Sequence, residues 1–323
     1  MELGIKKEGP RLISVVIRCC NEGRNIGRLL NGIMQQTVRD VEIVIVDSGS
    51  SDNTLSIAAQ YPTRIVSVKP EEFSFGRSLN LGCRKATGEF IVIASAHVYP
   101  VFSDWMEELL KPFEDETVAL VYGKQRGNES TKYSEHQVFA KWFPDGSGRH
   151  QDHPFCNNAN AAIRRSVWRE QLYNEELTGL EDLDWAKRIM ARGLKIAYAA
   201  DAEVVHVHDE TLRQIYNRYR REAIAMRTIF PDQKFNLWDF VHLCSVNVIT
   251  DCYHALRDGM LIKNLGSIPL FRCMQFWGTY RGFRWRGPVT RKLKEKFYYP
   301  NGWRRSKAEW KIVKETRSAI DYE

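Results

Sequence analysis

The chain has 323 residues, of which 43% are hydrophobic and 27% charged, with a formal net charge of +7. That balance excludes a disordered, collagen-like or disulfide-scaffold protein, and allows one large α/β domain with an extension, or two domains. The seven cysteines, at 19, 20, 83, 156, 244, 252 and 273, form no CxxC pair and read as reduced thiols of a cytosolic protein.

In chain order, "LISVVIRCCNE" (12–22) is a buried strand running into a polar loop. "NIGRLLNGIMQQ" (25–36) sets Ile26, Leu29, Leu30 and Ile33 at helical spacing. "VEIVIVDSGSSDNT" (41–54) is a second strand ending in a polar turn, with Ser51 or Asp52 placed to cap the next helix. "TRIVSVK" (63–69) is a third strand, "FGRSLNLGCRKA" (75–86) a helix and "GEFIVIASA" (88–96) a fourth strand. A helix over "DWMEELLKPF" (104–113) and a strand over "VALVYGKQ" (118–125) follow. Residues 126–160 are polar and aromatic without regular period, so a long loop or short helices over the sheet edge are expected. "AAIRRSVW" is a strand entering a helix, and "LEDLDWAKRIMARG" (180–193) is an amphipathic helix with a glycine stop. "KIAYAADAEVVHVH" (195–208) is a strand, and the pattern from Glu210 is helical.

Strands alternating with helices imply a mostly parallel sheet covered on both faces, with ligands beyond the carboxyl ends of the strands. Polar residues gather at those ends: Asn21-Glu22, Asp47 to Asp52, and Ser95 to His97. Packing alone does not require that coincidence.

Six stretches occur in order: "VVIRCCNEGRNI", "IVIVDSGSSDNT", "GRSLNLGCRKATGEFIVIASAH", "NNANAAIRRSVW", "LEDLDWAKRIMARGLKIAY" and "VVHVH". Together they resemble the family 2 glycosyltransferases, inverting enzymes with a GT-A fold, over roughly residues 12–230. "FSFGRSLNLG" and "GTYRG" are similar to the rhamnosyltransferase-like branch. The resemblance implies a GT-A domain over residues 1–230 and a helical, aromatic and basic region over 231–323. It implies transfer of a sugar from a nucleotide-sugar to a glycan or lipid-linked acceptor, in cell-surface polysaccharide synthesis. Carried over position by position, it puts Asn21, Glu22, Asp47, Ser48, Asp52, Arg77, Asn80, Ser95 and His97 around the donor. Asp182 becomes the general base, paired with Glu181, while Asn158, Asn160 and Trp185 face the acceptor.

The residue chemistry leaves plainer readings open. Asp47, Ser50 and Asp52 are good helix caps. Arg77 can offer a donor fork to a diphosphate or sit on a solvated helix face. Glu181, Asp182 and Asp184 suit a helix N-terminus as such, and Trp185 can wall the acceptor or fill the core.

One departure stands out. Where most of the family has Asp-X-Asp, this chain has Ser95-Ala96-His97. In the family the second acid holds Mg²⁺ or Mn²⁺ against the diphosphate. Imidazole suits Mn²⁺ better than Mg²⁺, and "VVHVH" supplies His206 and His208, two apart on a strand and so on one face. His97 therefore has three readings: metal ligand with His206 or His208, direct phosphate contact with Arg77, or a satisfied strand end. The competing function class is a degenerate GT-A domain that binds nucleotide or glycan as a scaffold. Nucleotidyl transfer is disfavoured, because no glycine-rich loop with a lysine follows the first strand.

Residues 271–317 hold 14 Lys/Arg against 3 Asp/Glu, interleaved with aromatics that include Trp303 and Trp310. This suits peripheral association with an anionic membrane face, an expectation strengthened by the resemblance. An oligomer interface or a helical closure of the acceptor site is the plainer reading. Nucleic acid is not expected, since no binding motif accompanies the charge. No signal peptide and no spanning helix are expected, so the protein is placed in the cytoplasm, at the inner membrane face.

Overall fold

Runs of Val and Ile form the central strands, because β-branched side chains fill a sheet buried on both faces. The computed structural model describes residues 13–148 and 150–290, together with residues 293, 297, 320 and 322. Its strands are β1 (Ile13–Cys19), β2 (Val41–Asp47), β3 (Thr63–Ser67), β4 (Phe90–Ser95), β5 (Val98–Pro100), β6 (Val118–Arg126), β7 (Asn160–Arg164) and β8 (Lys195–His206). They form one sheet in the order β3-β2-β1-β4-β7-β6-β8-β5. The first four pair in parallel, as do β6 and β8. Antiparallel β7 joins these two blocks, and antiparallel β5 closes the edge beside β8.

The helices are α1 (Ile26–Met34), α2 (Thr54–Ala58), α3 (Phe75–Lys85), α4 (Trp105–Leu110), α5 (Tyr133–Trp142), α6 (Arg165–Glu170) and α7 (Glu181–Met190). They continue with α8 (Leu212–Ile229), α9 (Leu237–Arg257), α10 (Leu261–Asn264) and α11 (Ser267–Phe283). Strand alternation splits the core into two layers. Val15, Ile17, Ile43, Ile45 and Val92 pack with Leu29, Leu30 and Trp105 from α1 and α4. Val16, Val44, Val46, Ile91 and Ile93 pack on the other face with Leu79 of α3 and Trp185 of α7.

Local expectations are corrected at some positions and met at others. Ser95-Ala96-His97 is a strand end followed at once by β5, whose Pro100 is tolerated because the strand lies at the sheet edge. The helix expected over 104–113 stops at Leu110 and continues as a 3₁₀ turn, Lys111–Glu114, because Pro112 has no N–H to continue the ladder. Asn53, rather than Ser51 or Asp52, precedes α2, and it makes no side-chain cap. The irregular stretch 126–160 contains α5. The last strand ends at His206, leaving His208 beyond it. All seven cysteines are free thiols. Most of the basic stretch 288–317, with Trp303 and Trp310, lies outside the described residues.

"GTYRG" now has a packing account. A Cβ on Gly278 would lie 2.5 Å from the Tyr216 carbonyl oxygen, and one on Gly282 would lie 2.5 Å from the Arg220 carbonyl oxygen. The two glycines, one helical turn apart, let α11 approach the backbone of α8. A buried ion pair ties the same helix to α9. Arg272 Nε donates to Asp251 Oδ2 at 2.7 Å and Nη2 to Oδ1 at 2.8 Å, while Nη1 donates to Gln275 at 2.8 Å. Helices on both sides of residue 230 thus share one packed interface.

Gly278→Val should cost about 1–3 kcal/mol, as overpacking does. Gly146→Ala has no heavy atom within 4 Å of the added carbon and should change stability by less than about 0.5 kcal/mol. Urea denaturation of the two variants distinguishes the close approach at Gly278 from the general effect of giving a glycine a side chain.

Candidate active site

The parallel strands end together, and their two first loops are clasped. Asn21 adopts a left-handed conformation, φ 56°. Its Oδ1 accepts from Ser51 N at 2.8 Å, and its own N–H donates to Ser50 Oγ at 2.9 Å. Glu22 N donates to Thr54 Oγ1 at 2.8 Å and Gly23 N to Asp52 Oδ2 at 3.0 Å. Asp52 therefore staples the β1 loop to the β2 loop through Oδ2, while its Oδ1 accepts from Thr54 N at 3.0 Å at the start of α2. Asp47, 3% exposed, turns its carboxylate into its own loop, accepting from Gly49 N at 3.0 Å and Ser50 Oγ at 2.5 Å. Ser48 Oγ donates to the Cys19 carbonyl at 3.1 Å. These residues build the rigid floor of the strand-end cleft.

Above that floor three histidines converge. His97, His206 and His208 each offer a ring nitrogen, all within 4.8 Å of one another. The Nε2 atoms of His206 and His208 are 3.0 Å apart. Each Nδ1 faces an oxygen: His97 that of Glu22 at 2.7 Å, His206 that of Gln125 at 2.7 Å, His208 that of Glu135 at 2.6 Å. A proton on each Nδ1 leaves the three Nε2 lone pairs pointing inward, the outer-shell arrangement that orients imidazole for a metal. Burial, joined by the charges of His208 and His97, lowers the His206 pKa and keeps it neutral. Burial would raise Glu135, but the Arg218 and His208 charges outweigh it and hold the carboxylate well below its ordinary range. Burial likewise opposes ionisation of both His97 and Glu22; their mutual charge and hydrogen bond outweigh it, raising His97 and lowering Glu22. This donor set fits a divalent cation that accepts imidazole. A second set, Glu135, His208 and Glu210, already holds a cation of its own: Arg218 Nη2 lies 2.6 Å from Glu135 and 2.7 Å from Glu210.

The acidic pair opens α7. Leu180 before it is left-handed, φ 56°, which brings the chain sharply into the helix. Asn21 and Leu180 are the non-glycine positions with positive φ among the described residues. Both flank this edge, as strained backbone at functional sites does. Glu181, 5% exposed, pairs with Arg18 Nη1 at 3.1 Å. Asp182 accepts from Asn158 N at 3.0 Å and Leu183 N at 2.8 Å. Burial and the adjacent Glu181 charge push its carboxyl up to about 7, against the opposing pull of these N–H groups and Arg18. Asn158 is 2% exposed, and neither end of its carboxamide has a hydrogen-bond partner among the described residues. A buried amide left open beside Asp182 is suited to a hydroxyl-bearing ligand or a bound water.

Arg18 links the two halves. In register it faces Ser95, two residues before His97, and its guanidinium lies 4.7 Å from the Phe75 ring centroid. The sequence reading passed over it. The available signal was a lone cation at the polar end of an otherwise apolar strand. Gln125 and Glu135, which orient the histidines, were also missed, because nothing in their local pattern points at residues about 80 positions away.

Other expected residues have structural partners of their own. Asn80 is fully buried, and its carboxamide is used by Trp168, Tyr173 and Glu175. Asn160 is equally buried and bonds Lys124, Ala202 and Trp105. Trp185 is a core residue donating to the Gln171 carbonyl. Half-exposed Arg77 pairs with Glu72 at 3.0 Å and Glu175 at 3.8 Å. These four are engaged by partners within the protein.

Residues 14–172 match the family described as glycosyl transferase family 2. Over that segment, just under half of the chain, the sequence is similar to the family 2 glycosyltransferases. It is 31% identical over 201 residues to the O-antigen chain rhamnosyltransferase WbaN of Salmonella anatum, covering 58% of this chain and 64% of that protein. It is 29% identical over 220 residues to the O-antigen chain rhamnosyltransferase RfbN of Salmonella typhimurium, covering 64% and 70%. The mannosyltransferase PcManGT from Pyrobaculum calidifontis, solved with GDP-Man and Mn²⁺, superposes with a TM-score of 0.57 at 20% identity, over 92% of this chain and 89% of that one. S. aureus TarS 1–349 with UDP-GlcNAc superposes at 0.52 and 15% identity, over 96% and 99%. At these identities the solved structures establish the fold alone, a GT-A fold.

The histidine geometry predicts Mn²⁺ binding, measurable by electron paramagnetic resonance on the purified protein. His208→Ala should weaken it by at least about tenfold, and Glu135→Gln by about tenfold through lost orientation. Unchanged affinity in His208→Ala would reject this donor set.

Proposed function

We propose that this chain is an inverting glycosyltransferase of cell-surface polysaccharide synthesis, acting on a nucleotide-sugar donor and a glycan or lipid-linked saccharide acceptor. The Asp182 carboxylate carries the reading. It is held by two backbone N–H groups, raised to about 7, and linked through Arg18 to the edge that bears His97. A carboxylate poised near neutral pH is matched to taking a proton from a hydroxyl. A binding scaffold has no use for it.

In this reading Asp182 removes the acceptor hydroxyl proton as that oxygen attacks the anomeric carbon from the face opposite the diphosphate. Asn158, with its open carboxamide, orients the acceptor. The clasped loops of Asn21 to Gly23 and Asp47 to Asp52 seat the nucleotide. His97, His206 and His208 would hold a divalent cation, for which three imidazoles favour Mn²⁺ over Mg²⁺. Such a cation supplies positive charge to the departing diphosphate. Glu22, Gln125 and Glu135 hold the three rings in place.

The two Salmonella relatives bear the name rhamnosyltransferase, so a nucleotide-activated deoxyhexose is the first donor to assay. No helix of the described residues is long and apolar enough to cross a membrane; a lipid-linked acceptor would be met at the cytoplasmic membrane surface.

Asp182→Asn should lower transfer at least about a thousandfold while donor affinity by calorimetry stays within about threefold. Full turnover in that variant would remove Asp182 from the mechanism. For the wild type, kcat/KM should fall below a pH near 7, since the base must be ionised. Glu181→Gln deletes the neighbouring negative charge, so the acid limb should move to lower pH. A shift upward, or none, in the pH–rate profile would contradict the assigned coupling.

A further inference from the structure

The outer face of α9 is apolar where a solvated helix would be charged. Trp238 is 72% exposed, Ile249 68%, Leu256 63% and Tyr253 57%, with Val241 and Val246 also exposed. At about 100° per residue these six fall within an arc of about 140°. His242, Ser245 and Cys252 share that arc, and no Lys, Arg, Asp or Glu lies on it. From Trp238 to Leu256 the stripe runs about 27 Å at the helical rise. Ile262, 95% exposed, extends it past the helix end. The opposite side packs inward through Cys244, Asp251 and Ala255, so the helix is anchored and its stripe faces outward.

We propose that this face of α9 docks on an anionic lipid bilayer, with the helix lying in the plane of the headgroups. Charge selects that occupant over a second copy of the chain. Residues 271–317, which begin on the helix packed against α9, carry 14 Lys/Arg against 3 Asp/Glu. A second copy would bring a second set of the same positive charges. Anionic phospholipid neutralises them, and basic residues near such a surface are attracted to it. Trp and Tyr on the stripe suit the headgroup boundary, and the stripe is too interrupted by polar residues to enter the hydrocarbon core as a span. Docking deepens the proposed reading, since it brings the cleft to a lipid-linked acceptor, yet lipid binding is measured without turnover.

Co-sedimentation of the full chain with vesicles of phosphatidylcholine alone, or with phosphatidylglycerol added, tests the assignment. Binding to the mixed vesicles should exceed binding to the neutral ones by at least about tenfold. The double variant Ile249→Asp, Leu256→Asp should lose at least about tenfold in partitioning, with an unchanged thermal midpoint and unchanged Mn²⁺ binding. The triple variant Arg304→Glu, Arg305→Glu, Lys307→Glu should lose a similar factor on anionic vesicles only. Failure of the wild type to bind anionic vesicles overturns the proposal. So does undiminished binding by the double variant. A dimer in lipid-free buffer that this variant dissociates would assign the face to self-association instead. Loss of sugar transfer with lipid binding intact would strike the catalytic reading and leave the docking surface standing.

Discussion

Parallel pairing of β1 between β2 and β4 is the constraint on which the rest of the molecule depends. Its register sets Cys19 beside Asp47 and Arg18 beside Ser95. Three chain segments, far apart in sequence, therefore end at one edge and release their loops into one space. Parallel strands need crossover connections, and the crossovers α1, α2 and α3 cover the sheet and leave that edge open. Asp52 and Asn21 then clasp neighbouring loops, so the floor of the cleft is built by short polar side chains rather than by packing.

Burial decides the electrostatics above that floor. Desolvation keeps His206 neutral and raises Asp182, whereas Glu135 and Glu22 remain anionic because cationic or imidazole partners outweigh the same desolvation. Groups of one chemical type are thereby driven to opposite states within one cleft. Glu22 and Glu135 orient nitrogens, and Asp182 is left free to exchange a proton. Arg18 stands between the two sets and tempers both, acting against ionised His97 and in favour of ionised Asp182.

The C-terminal helices follow a different logic. Gly278 and Gly282 let α11 lie on the backbone of α8, and the buried Arg272–Asp251 pair ties α11 to α9. Such a pair contributes little net stability, because desolvation offsets its attraction, but it permits one registration of the two helices. One face of α9 is left apolar and outward. A hydrophobic residue at that surface and one in the core look alike in the sequence, so only packing separates them.

The fold class was legible because a buried strand writes its own signature: continuous β-branched runs with polar endings, separated by helical periods. The same signature located the loops that carry Asn21, Asp47 and His97, and the acidic start of α7. Chemistry that depends on which groups stay unpaired was not legible. Asn80, Asn158 and Asn160 look alike as residues of a sequence, yet two of the three spend their carboxamides in the core and one leaves both ends open among the described residues. Sequence determined which residues stand at the strand ends, since alternation and helix caps are local. Tertiary structure alone decided that ring nitrogens of His206 and His208 come within 4.8 Å of one of His97, that Arg18 holds Glu181, and that β5 follows at once on the Ser-Ala-His turn. Those outcomes rest on long-range register and on desolvation, and neither quantity is a property of a short stretch of chain.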